Sequence, residues 1–372
     1  MYRIVKIIIL SIVCVYCHSL DIVDSNRTSK FGFGIGLVRF ANNICTSSDG
    51  LEGACFTKRE CKKIGGSGFG SCANGLGVCC IVRKSCDGTT TSNNTYFASP
   101  GFPSSYNGGT TCSFTIKKLS NDICQARIDF LAFSLDQPNA NGACVNDGLS
   151  IIGGASPVPT ICGENGEQHI YVNFAERGNI QMNIFTGISV NMRRSWNFKI
   201  SQIGCDCPTR APSGCLMYYT SLSGTVRSFN YGTTGNAAAS RQLINQNYGI
   251  CIAMQPGYCS INWSQTGGDP YSFSVSGDTG VAVTDGTIAT NAAAVIGALC
   301  NTDFVVIPNP TFRDTQMPAS VDRFCGNGFE PLTTSSKPFV MTVVTDATEA
   351  GDVGNRGFSL DFSQQRCVGM PF

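Results

Sequence analysis

A single histidine stands outside the N-terminal segment of this 372-residue chain, and it limits the catalytic chemistry that the sequence supports. His169 lies in "QHIYVNF", and a serine-protease triad would need it together with a serine and an aspartate that no motif marks. The nucleophile motifs GDSGG and GxSxG and the zinc motif HExxH are absent. We therefore expect His169 to be a strand residue with a partner inside the fold, and the protein not to be an enzyme.

Two glutamates form the other candidate pair for catalysis. Glu164 and Glu167 lie three positions apart, just after Cys162. Paired carboxylates can serve as general acid and general base. Their setting, "CGENGE", is typical of a solvated turn. The sequence therefore predicts neither a catalytic residue nor an organic cofactor.

A short phrase occurs twice and places an aspartate three positions after a cysteine. The first copy is "CVNDGLSII", with Asp147, and the second is "CNTDFVVIP", with Asp303. A strand-like apolar run follows the aspartate in both copies. In each copy the next cysteine is followed by glycine, and similar strands, "RSWNFKIS" and "NRGFSLDF", precede the last cysteine. This self-similarity indicates two duplicated domains rather than a solenoid.

Cysteine is abundant, with 21 in the chain, of which Cys14 and Cys17 lie in the N-terminal apolar segment. The other 19 predict disulfides rather than zinc ligands, because paired CxxC spacing is missing. Eighteen of them fall into three groups of six: Cys45, Cys55, Cys61, Cys72, Cys79 and Cys80; Cys86, Cys112, Cys124, Cys144, Cys162 and Cys205; and Cys215, Cys251, Cys259, Cys300, Cys325 and Cys367. The odd one is Cys207, in the junction "CDCPTRAPSGC". It is a candidate free thiol or a link between two chains, unless it replaces Cys205 in a bridge.

Residues 1–19 have the features of a secretory signal peptide. Arg3 and Lys6 precede a short apolar core, and small residues follow near Ser19. The core is too short to span a bilayer comfortably, so we expect a secreted, extracellular protein without a membrane anchor. Residues 20–44 are polar and Gly-rich, which predicts a flexible lead.

Secretion would expose the chain to N-linked glycosylation, and the charge of the chain limits its partners. Three sequons, at Asn26, Asn93 and Asn262, are acceptors for N-linked glycans if they are exposed. The formal net charge is +1, and no basic block gives the chain an electrostatic footprint for nucleic acid.

Short strands are the elements that must position these residues. Segments such as "CSFTI", "HIYVNF" and "WNFKISQI" are β-branched or aromatic and partly alternating, and turn clusters such as "SPGFPSSYNGG" separate them. Only 14% of the residues are charged, while glycine numbers 42. This pattern predicts an all-β protein built from antiparallel β-sandwiches.

The first repeat resembles a CUB domain. "SPGFPSSYNGGTTCSFTI" is similar to the opening of that domain, and "CVNDGLSIIGG" and "ICG" to its middle. The second repeat lacks this opening but keeps "CNTDFVVIP", "RFCG" and "NRGFSLDF". The resemblance implies one CUB sandwich over residues 86–205 and a divergent one over 215–367. By analogy with CUB domains it implies Cys86–Cys112, Cys144–Cys162, Cys215–Cys251 and Cys300–Cys325, and parsimony then pairs Cys124 with Cys205 and Cys259 with Cys367.

The first six cysteines, in residues 45–80, resemble the clip domain of arthropod secreted proteins, which also ends in a phrase like "GVCC". Clip domains pair the first cysteine with the fifth, the second with the fourth, and the third with the sixth. The resemblance therefore implies Cys45–Cys79, Cys55–Cys72 and Cys61–Cys80, although six cysteines allow 15 pairings. "IVRKS", which follows, is expected to be a short linker.

The CUB resemblance also gives the repeated aspartate a chemical role. Many CUB domains bind calcium through the carboxylate of the CxxD phrase and two others, one ending a strand and one on a later loop. In the first repeat Asp136 and Asp147 match, but Thr186 and Gly187 stand where the third carboxylate belongs, so no tight site is expected. In the second repeat the weak calcium candidates are Asp303, Asp346 and Asp278. The alternative is that Asp147 and Asp303 hold a turn by bonding to backbone amides.

These observations predict a secreted, non-enzymatic protein that recognises other proteins or glycans through its CUB domains. Two alternatives stay open: a non-catalytic regulator in an extracellular clip-protease cascade, and an accessory component of venom or saliva. A monomer is expected, with a disulfide-linked dimer through Cys207 as the alternative.

Overall fold

The computed structural model of the protein describes residues 43–188, 193–232, 241–349 and 354–367. The expected signal peptide, nearly all of the expected lead and the sequon at Asn26 lie outside these ranges. Within the ranges, no helix has both the length and the apolar character that crossing a membrane requires.

The N-terminal unit is a small sheet with one short helix. Its elements are β1 (Ile44–Thr46), β2 (Glu52–Phe56), α1 (Lys58–Lys63), β3 (Ser67–Cys72) and β4 (Gly77–Lys84). Its buried apolar cluster consists of only Cys61, Cys80 and Val82, with a few half-buried neighbours. Because so small a core stabilises little, three disulfides within the unit supply the constraint.

The first sandwich contains eight strands: β5 (Gly88–Thr90), β6 (Thr95–Ala98), β7 (Thr111–Ile116), β8 (Ile123–Ser134), β9 (Gly148–Ile152), β10 (His169–Asn173), β11 (Ile180–Phe185) and β12 (Ser195–Gly204). One sheet has the order β6-β12-β8-β10 and the other β5-β7-β11-β9. Along β7 and β11, buried residues alternate with half-buried or exposed ones, as expected when one sheet face covers a core. Phe97 of β6 stacks on Phe114 of β7 across the two sheets, with ring centroids 4.6 Å apart.

The second sandwich is larger. Its elements are β13 (Cys215–Tyr219), β14 (Ser223–Arg227), β15 (Asn247–Ile252), β16 (Tyr258–Gln265), β17 (Phe273–Ser274), α2 (Thr279–Thr284), β18 (Ala294–Ile296), β19 (Phe304–Val306), β20 (Pro310–Phe312), β21 (Arg323–Gly326), β22 (Leu332–Thr334), β23 (Phe339–Val344) and β24 (Gly357–Arg366). The order β5-β7-β11-β9 recurs as β13-β15-β23-β19, and β6-β12-β8-β10 recurs as β14-β24-β16-β22. The repeated sequence therefore folds into a repeated topology. In both copies the first strand pairs in parallel with its neighbour, β5 with β7 and β13 with β15, while most other pairs are antiparallel.

The expected linker after the small unit is wrong. Residues 81–84 belong to β4, which pairs in parallel with β6 and extends the sheet of the first sandwich. The Tyr96 hydroxyl on β6 fastens the contact, because it donates to the carbonyl oxygen of Glu52 at 2.9 Å and lies 3.0 Å from the Glu52 nitrogen. The physical reason is that the edge of β6 offers unpaired backbone groups, and β4 satisfies them.

Nine disulfides join eighteen of the described cysteines. The structure joins the six pairs expected in the two repeats and the three expected in the small unit: Cys45–Cys79, Cys55–Cys72, Cys61–Cys80, Cys86–Cys112, Cys124–Cys205, Cys144–Cys162, Cys215–Cys251, Cys259–Cys367 and Cys300–Cys325. None of these nine links one sandwich to the other.

Cys207 differs from the expectation. It is disulfide-bonded. The free thiol expected at Cys207 is therefore wrong for this structure. The alternative in which it replaces Cys205 is also wrong, because Cys205 is bonded to Cys124. Cys207 itself is buried, with 7% of its surface exposed, although Asp206 and Pro208 on either side of it are exposed.

The two sandwiches share a buried contact. Buried side chains of both belong to one continuous apolar cluster, and a smaller cluster joins Tyr171 of β10 to Cys215 of β13. Polar groups cross the contact as well. The fully buried Asn230 donates to Gln137 Oε1 at 3.0 Å, and its backbone nitrogen donates to Asn165 Oδ1 at 2.7 Å. The repeats are thus two sandwiches with one shared interior.

Candidate functional site

The aspartate of the first repeated phrase pairs with an arginine deep in the first sandwich. Arg194 Nε donates to Asp147 Oδ2 at 2.6 Å, and Arg194 Nη2 donates to Asp147 Oδ1 at 3.0 Å. Both side chains have no solvent exposure. Such a two-pronged contact matches the planar guanidinium to both carboxylate oxygens. Each ion is costly to bury alone, so each depends on the other.

Backbone groups complete the surroundings of this pair. The nitrogen of Asp136, after β8, donates to Asp147 Oδ2 at 2.9 Å, and the nitrogen of Gly187, after β11, donates to Asp147 Oδ1 at 3.0 Å. Arg194 Nη1 donates to the carbonyl oxygen of Asn107 at 2.7 Å. The ion pair therefore gathers the loops after β6, β8 and β11 at one end of the sandwich, which we call the Asp147 loop end.

Glycine is required at one point of this loop end. Gly108 has φ of +80°, a conformation that side chains other than glycine adopt with strain. A Cβ at this position would also lie 2.7 Å from Arg194 Nη1 and from the carbonyl oxygen of Gly187. The loop thus passes directly over the guanidinium.

The first sandwich does not fit the calcium ion that the CUB resemblance implies. Each oxygen of Asp147 accepts two hydrogen bonds, one from a backbone N–H and one from Arg194. The guanidinium supplies the positive charge next to Asp147, and a second cation there would be repelled at short range. Asp136 is engaged too, since its Oδ2 accepts from Asn146 Nδ2 at 3.0 Å.

In the second sandwich the three expected calcium ligands do not come together. Asp278 caps the N-terminus of α2, where its Oδ1 accepts from the nitrogen of Gly280 at 2.8 Å. Asp346 Oδ1 accepts from the nitrogen of Thr348 at 2.8 Å. Across the described ranges, no three His, Cys, Asp or Glu side chains are grouped so that they could hold a metal ion. The calcium expectation for Asp303, Asp346 and Asp278 is therefore wrong, because helix capping takes Asp278 away from the others.

Asp303 nevertheless has the structural role of its counterpart. It is fully buried, and its Oδ1 accepts from the nitrogen of Asp346 at 2.8 Å. Asp346 stands two residues after the end of β23, as Gly187 does after β11. In both copies the repeated aspartate holds the same loop through a backbone amide, which is the turn-holding alternative.

The residues considered for catalysis have structural positions. His169 is 7% exposed at the contact between the sandwiches, and its Nε2 lies 2.9 Å from the carbonyl oxygen of Tyr218. Glu167 has φ of +65° in the turn before β10. The backbone nitrogen of Glu164 donates to Asn230 Oδ1 at 3.0 Å, which places this residue at the contact as well.

Two aliphatic side chains project from the Asp147 loop end. Val145 is 58% exposed and Ile188 is 92% exposed. Their loops lie side by side, because a Cβ on Gly187 would be 3.3 Å from the carbonyl oxygen of Asn146. Since apolar groups on solvent-facing loops gain free energy when a partner covers them, this pair marks a candidate interaction surface.

The two described sequons lie on the first and second sandwich. Asn93 is half-buried, and its Oδ1 accepts from the nitrogen of Gln202 at 2.8 Å. Asn262 is half-buried in β16, and its Oδ1 accepts from the Thr333 hydroxyl at 2.6 Å. Both amide oxygens are thus engaged in the fold.

Sequence reasoning missed Arg194. A signal was present, because an arginine precedes the closing strand in both repeats, Arg194 before β12 and Arg356 before β24. The signal is ambiguous, since Arg356 instead lies over the ring of Tyr271, 3.7 Å from its centroid.

Comparison with known proteins identifies the two sandwiches. A sequence model of the CUB domain matches residues 86–199, and a model of the animal CUB domain matches residues 212–365. Human cubilin is 33% identical over 97 residues, which is 25% of this chain and 3% of cubilin. Dog cubilin is 26% identical over 138 residues, which is 36% of this chain and 4% of that protein. The chain thus covers only a few per cent of the length of these relatives.

Solved structures with similarity include the CUB1-EGF-CUB2 domains of rat MASP-1. That structure is 14% identical in sequence, with a TM-score of 0.26, and the match covers 76% of this chain and 99% of the other. The residue ranges that the two sequence models match agree with the duplicated strand order and with the disulfides within each repeat. The two β-sandwiches of this chain are CUB domains, and the chain belongs among the CUB-domain proteins.

Proposed function

We propose that this chain is an extracellular, non-enzymatic binding protein whose first CUB domain recognises a protein partner through the Asp147 loop end. The observation that carries the proposal is the pair of exposed aliphatic side chains, Val145 and Ile188, on two loops that touch. A protein partner is favoured over a glycan because these exposed groups are aliphatic. Covering them removes apolar surface from water, which is the main favourable term in most protein association.

The internal bonding of the loops supports this role. The Thr186 hydroxyl donates to the carbonyl oxygen of Thr110 at 2.8 Å, and the nitrogen of Gly109 donates to the carbonyl oxygen of Gly187 at 3.0 Å. With the buried Asp147–Arg194 pair beneath them, the loops are arranged before any partner arrives. A preorganised surface loses little conformational entropy on binding.

The proposal places the protein outside the cell. The nine disulfides support an oxidising compartment, as is found outside the cell. It also takes the six-cysteine unit as a clip-like knot from an arthropod protein, supported by the pairing Cys45–Cys79, Cys55–Cys72 and Cys61–Cys80. In a secreted chain, Asn93 and Asn262 are the proposed glycan acceptors within the CUB domains.

Site-specific photocrosslinking tests the partner-binding surface. A photoreactive amino acid is placed at position 145 or 188 of the full chain, and at Met317, which is 65% exposed on the second sandwich, as a control. After incubation with extracellular fluid of the source animal and irradiation, positions 145 and 188 should capture the same protein. Position 317 should not capture it.

A second arm uses surface variants that leave the fold intact. Val145→Asp combined with Ile188→Asp should reduce binding of the captured protein at least tenfold, while Met317→Asp should leave it unchanged. Equal capture from all three positions, or no effect of the double variant, would contradict the proposal. Urea unfolding of each variant checks that the fold is retained.

A further inference from the structure

The expectation that the chain has no basic block is wrong locally. The helix of the small N-terminal unit carries a dense group of positive charges in the run "KRECKK". Lys58, Arg59, Lys62 and Lys63 are all exposed on α1, which is only six residues long. None of the four forms an ion pair among the described residues. We call these four residues the α1 cation cluster.

The acidic residues of the same unit do not neutralise the cluster. Only Asp49, Glu52 and Glu60 are acidic between residues 43 and 84. Asp49 pairs with Arg83 at 3.6 Å, and Glu52 pairs with Lys199 of β12. Glu60 Oε2 accepts from the Thr57 nitrogen at 3.3 Å and from the Thr57 hydroxyl at 2.9 Å. Each carboxylate is therefore committed elsewhere.

The arrangement is unfavourable for the helix itself. Lys58 and Lys62 stand four positions apart, and so do Arg59 and Lys63, and like charges at this spacing destabilise a helix. Lys58 and Arg59 also lie in the first turn, where the helix dipole disfavours cations. The four cations therefore do not contribute to the stability of the helix.

Two devices keep the helix formed despite this. The Thr57 hydroxyl accepts from the Glu60 nitrogen at 3.2 Å while Glu60 bonds back to Thr57, which is a complete capping box. Cys61, the buried residue of α1, is bonded to Cys80 of β4. Since a six-residue helix is too short to be stable alone in water, these contacts hold the four cations in place.

We infer that the α1 cation cluster binds a sulfated polysaccharide. Clustered Lys and Arg residues on one surface are typical of heparin or nucleic-acid patches, and the disulfides of this unit favour the extracellular alternative. An anionic membrane is a poorer match, because apart from the buried Cys61 the helix presents only charged side chains and nothing apolar to insert. This site is separate from the Asp147 loop end and does not depend on it.

Binding to heparin, used as the sulfated probe, tests the inference on the full chain. The wild type should bind immobilised heparin at low salt. Its affinity should fall steeply with salt, because binding releases counterions. The variant Lys58→Gln, Arg59→Gln, Lys62→Gln, Lys63→Gln should bind at least tenfold more weakly. Its slope of log affinity against log salt should be smaller by about 3.

A matched control removes the same number of charges elsewhere. Lys117, Arg177, Arg313 and Lys337 are exposed on the two sandwiches, and changing all four to Gln should leave heparin affinity within about twofold. Chemically desulfated heparin should fail to compete. Equal loss in both variants, absence of heparin binding by the wild type, or cluster-dependent binding to anionic vesicles without heparin binding would overturn the inference.

Discussion

At the residue scale, Arg194 decides what the repeated aspartate can do in the first domain. Asp147 has the position at which CUB domains with calcium place a ligand, but here the chain supplies its own cation. The guanidinium has no solvent exposure and bonds to both carboxylate oxygens. A fixed internal cation makes the order of these loops independent of any dissolved ion.

Arg194→Gln should therefore be strongly destabilising. The substitution leaves Asp147 buried without its counterion, and breaking a buried pair in this way costs about 3–5 kcal/mol. The free energy of unfolding from urea titration of the full chain measures the loss. Arg177→Gln, at an exposed position, should change it by less than about 0.5 kcal/mol.

The Asp147–Arg194 pair also predicts how calcium affects the stability of the protein. The urea midpoint of the wild type should be the same in millimolar calcium and in a chelator. A midpoint that rises with calcium in the wild type and loses this rise in Asp147→Asn would contradict the role given to Arg194.

At the element scale, the contact between β10 and β13 joins the two domains through a buried histidine. His169 Nε2 lies 2.9 Å from the Tyr218 carbonyl oxygen, and the His169 ring packs on Tyr219 with centroids 4.8 Å apart. The pKa of His169 is lowered from 6.5 to about 4, mainly by burial and also by the positive charge of nearby Arg127, while Asp129 and the Tyr218 bond oppose the shift. The contact is thus built for a neutral imidazole.

Acidification should weaken this contact. The folded pKa of about 4 is below the unfolded value of 6.5, so the unfolded chain binds the proton more readily. The contribution of His169 to stability is complete above pH 6.5 and declines as the pH falls from 6.5 towards 4, by up to about 3 kcal/mol. Urea unfolding at several pH values follows this decline.

His169→Gln isolates the effect from carboxylates that titrate in the same range. Glutamine can still donate to the Tyr218 carbonyl oxygen but does not titrate. The free energy of unfolding of the variant should therefore depend less on pH between 6.5 and 4 than that of the wild type. Parallel pH profiles for wild type and variant would refute the assignment.

At the scale of the whole molecule, the two CUB domains are one packed body. Asn230 of the second domain is fully buried, and its side-chain oxygen accepts from the backbone nitrogen of Glu164 in the first. Gly163 makes this approach possible, because a Cβ there would lie 2.0 Å from Asn230 Oδ1. We therefore expect the wild type to unfold with the two domains coupled.

Gly163→Ala should loosen the coupling. The methyl group would push Asn230 away, and φ of +76° adds backbone strain, so the loss should be about 2 kcal/mol or more. Calorimetry should show one transition in the wild type and separate domain transitions in the variant. Gly166→Ala is the matched control in the same loop, because a Cβ there meets nothing within 4 Å. If both variants behave alike, the coupling does not run through Asn230.

Much of the architecture was predictable because it depends on local sequence patterns. The alternating strands, the two cysteine series and the phrase around Asp147 and Asp303 predict two sandwiches, and the repeated strand order agrees. The linker expected at residues 81–85 was wrong for a tertiary reason, because residues 81–84 lie in β4. Whether such a segment becomes β4 depends on the open edge of β6, which is formed only after folding.

The sequence by itself determined the duplication, the fold class and the presence of a corresponding aspartate in each copy, because these follow from local spacing and residue type. Only the tertiary structure decided which group faces that aspartate. Arg194 is 47 positions from Asp147, and its counterpart Arg356 lies over an aromatic ring. The tertiary structure also decided that Asp278 caps a helix and that the two domains share an interior. The partner of a buried charge depends on which loops meet in space, and spacing along the chain does not contain that information.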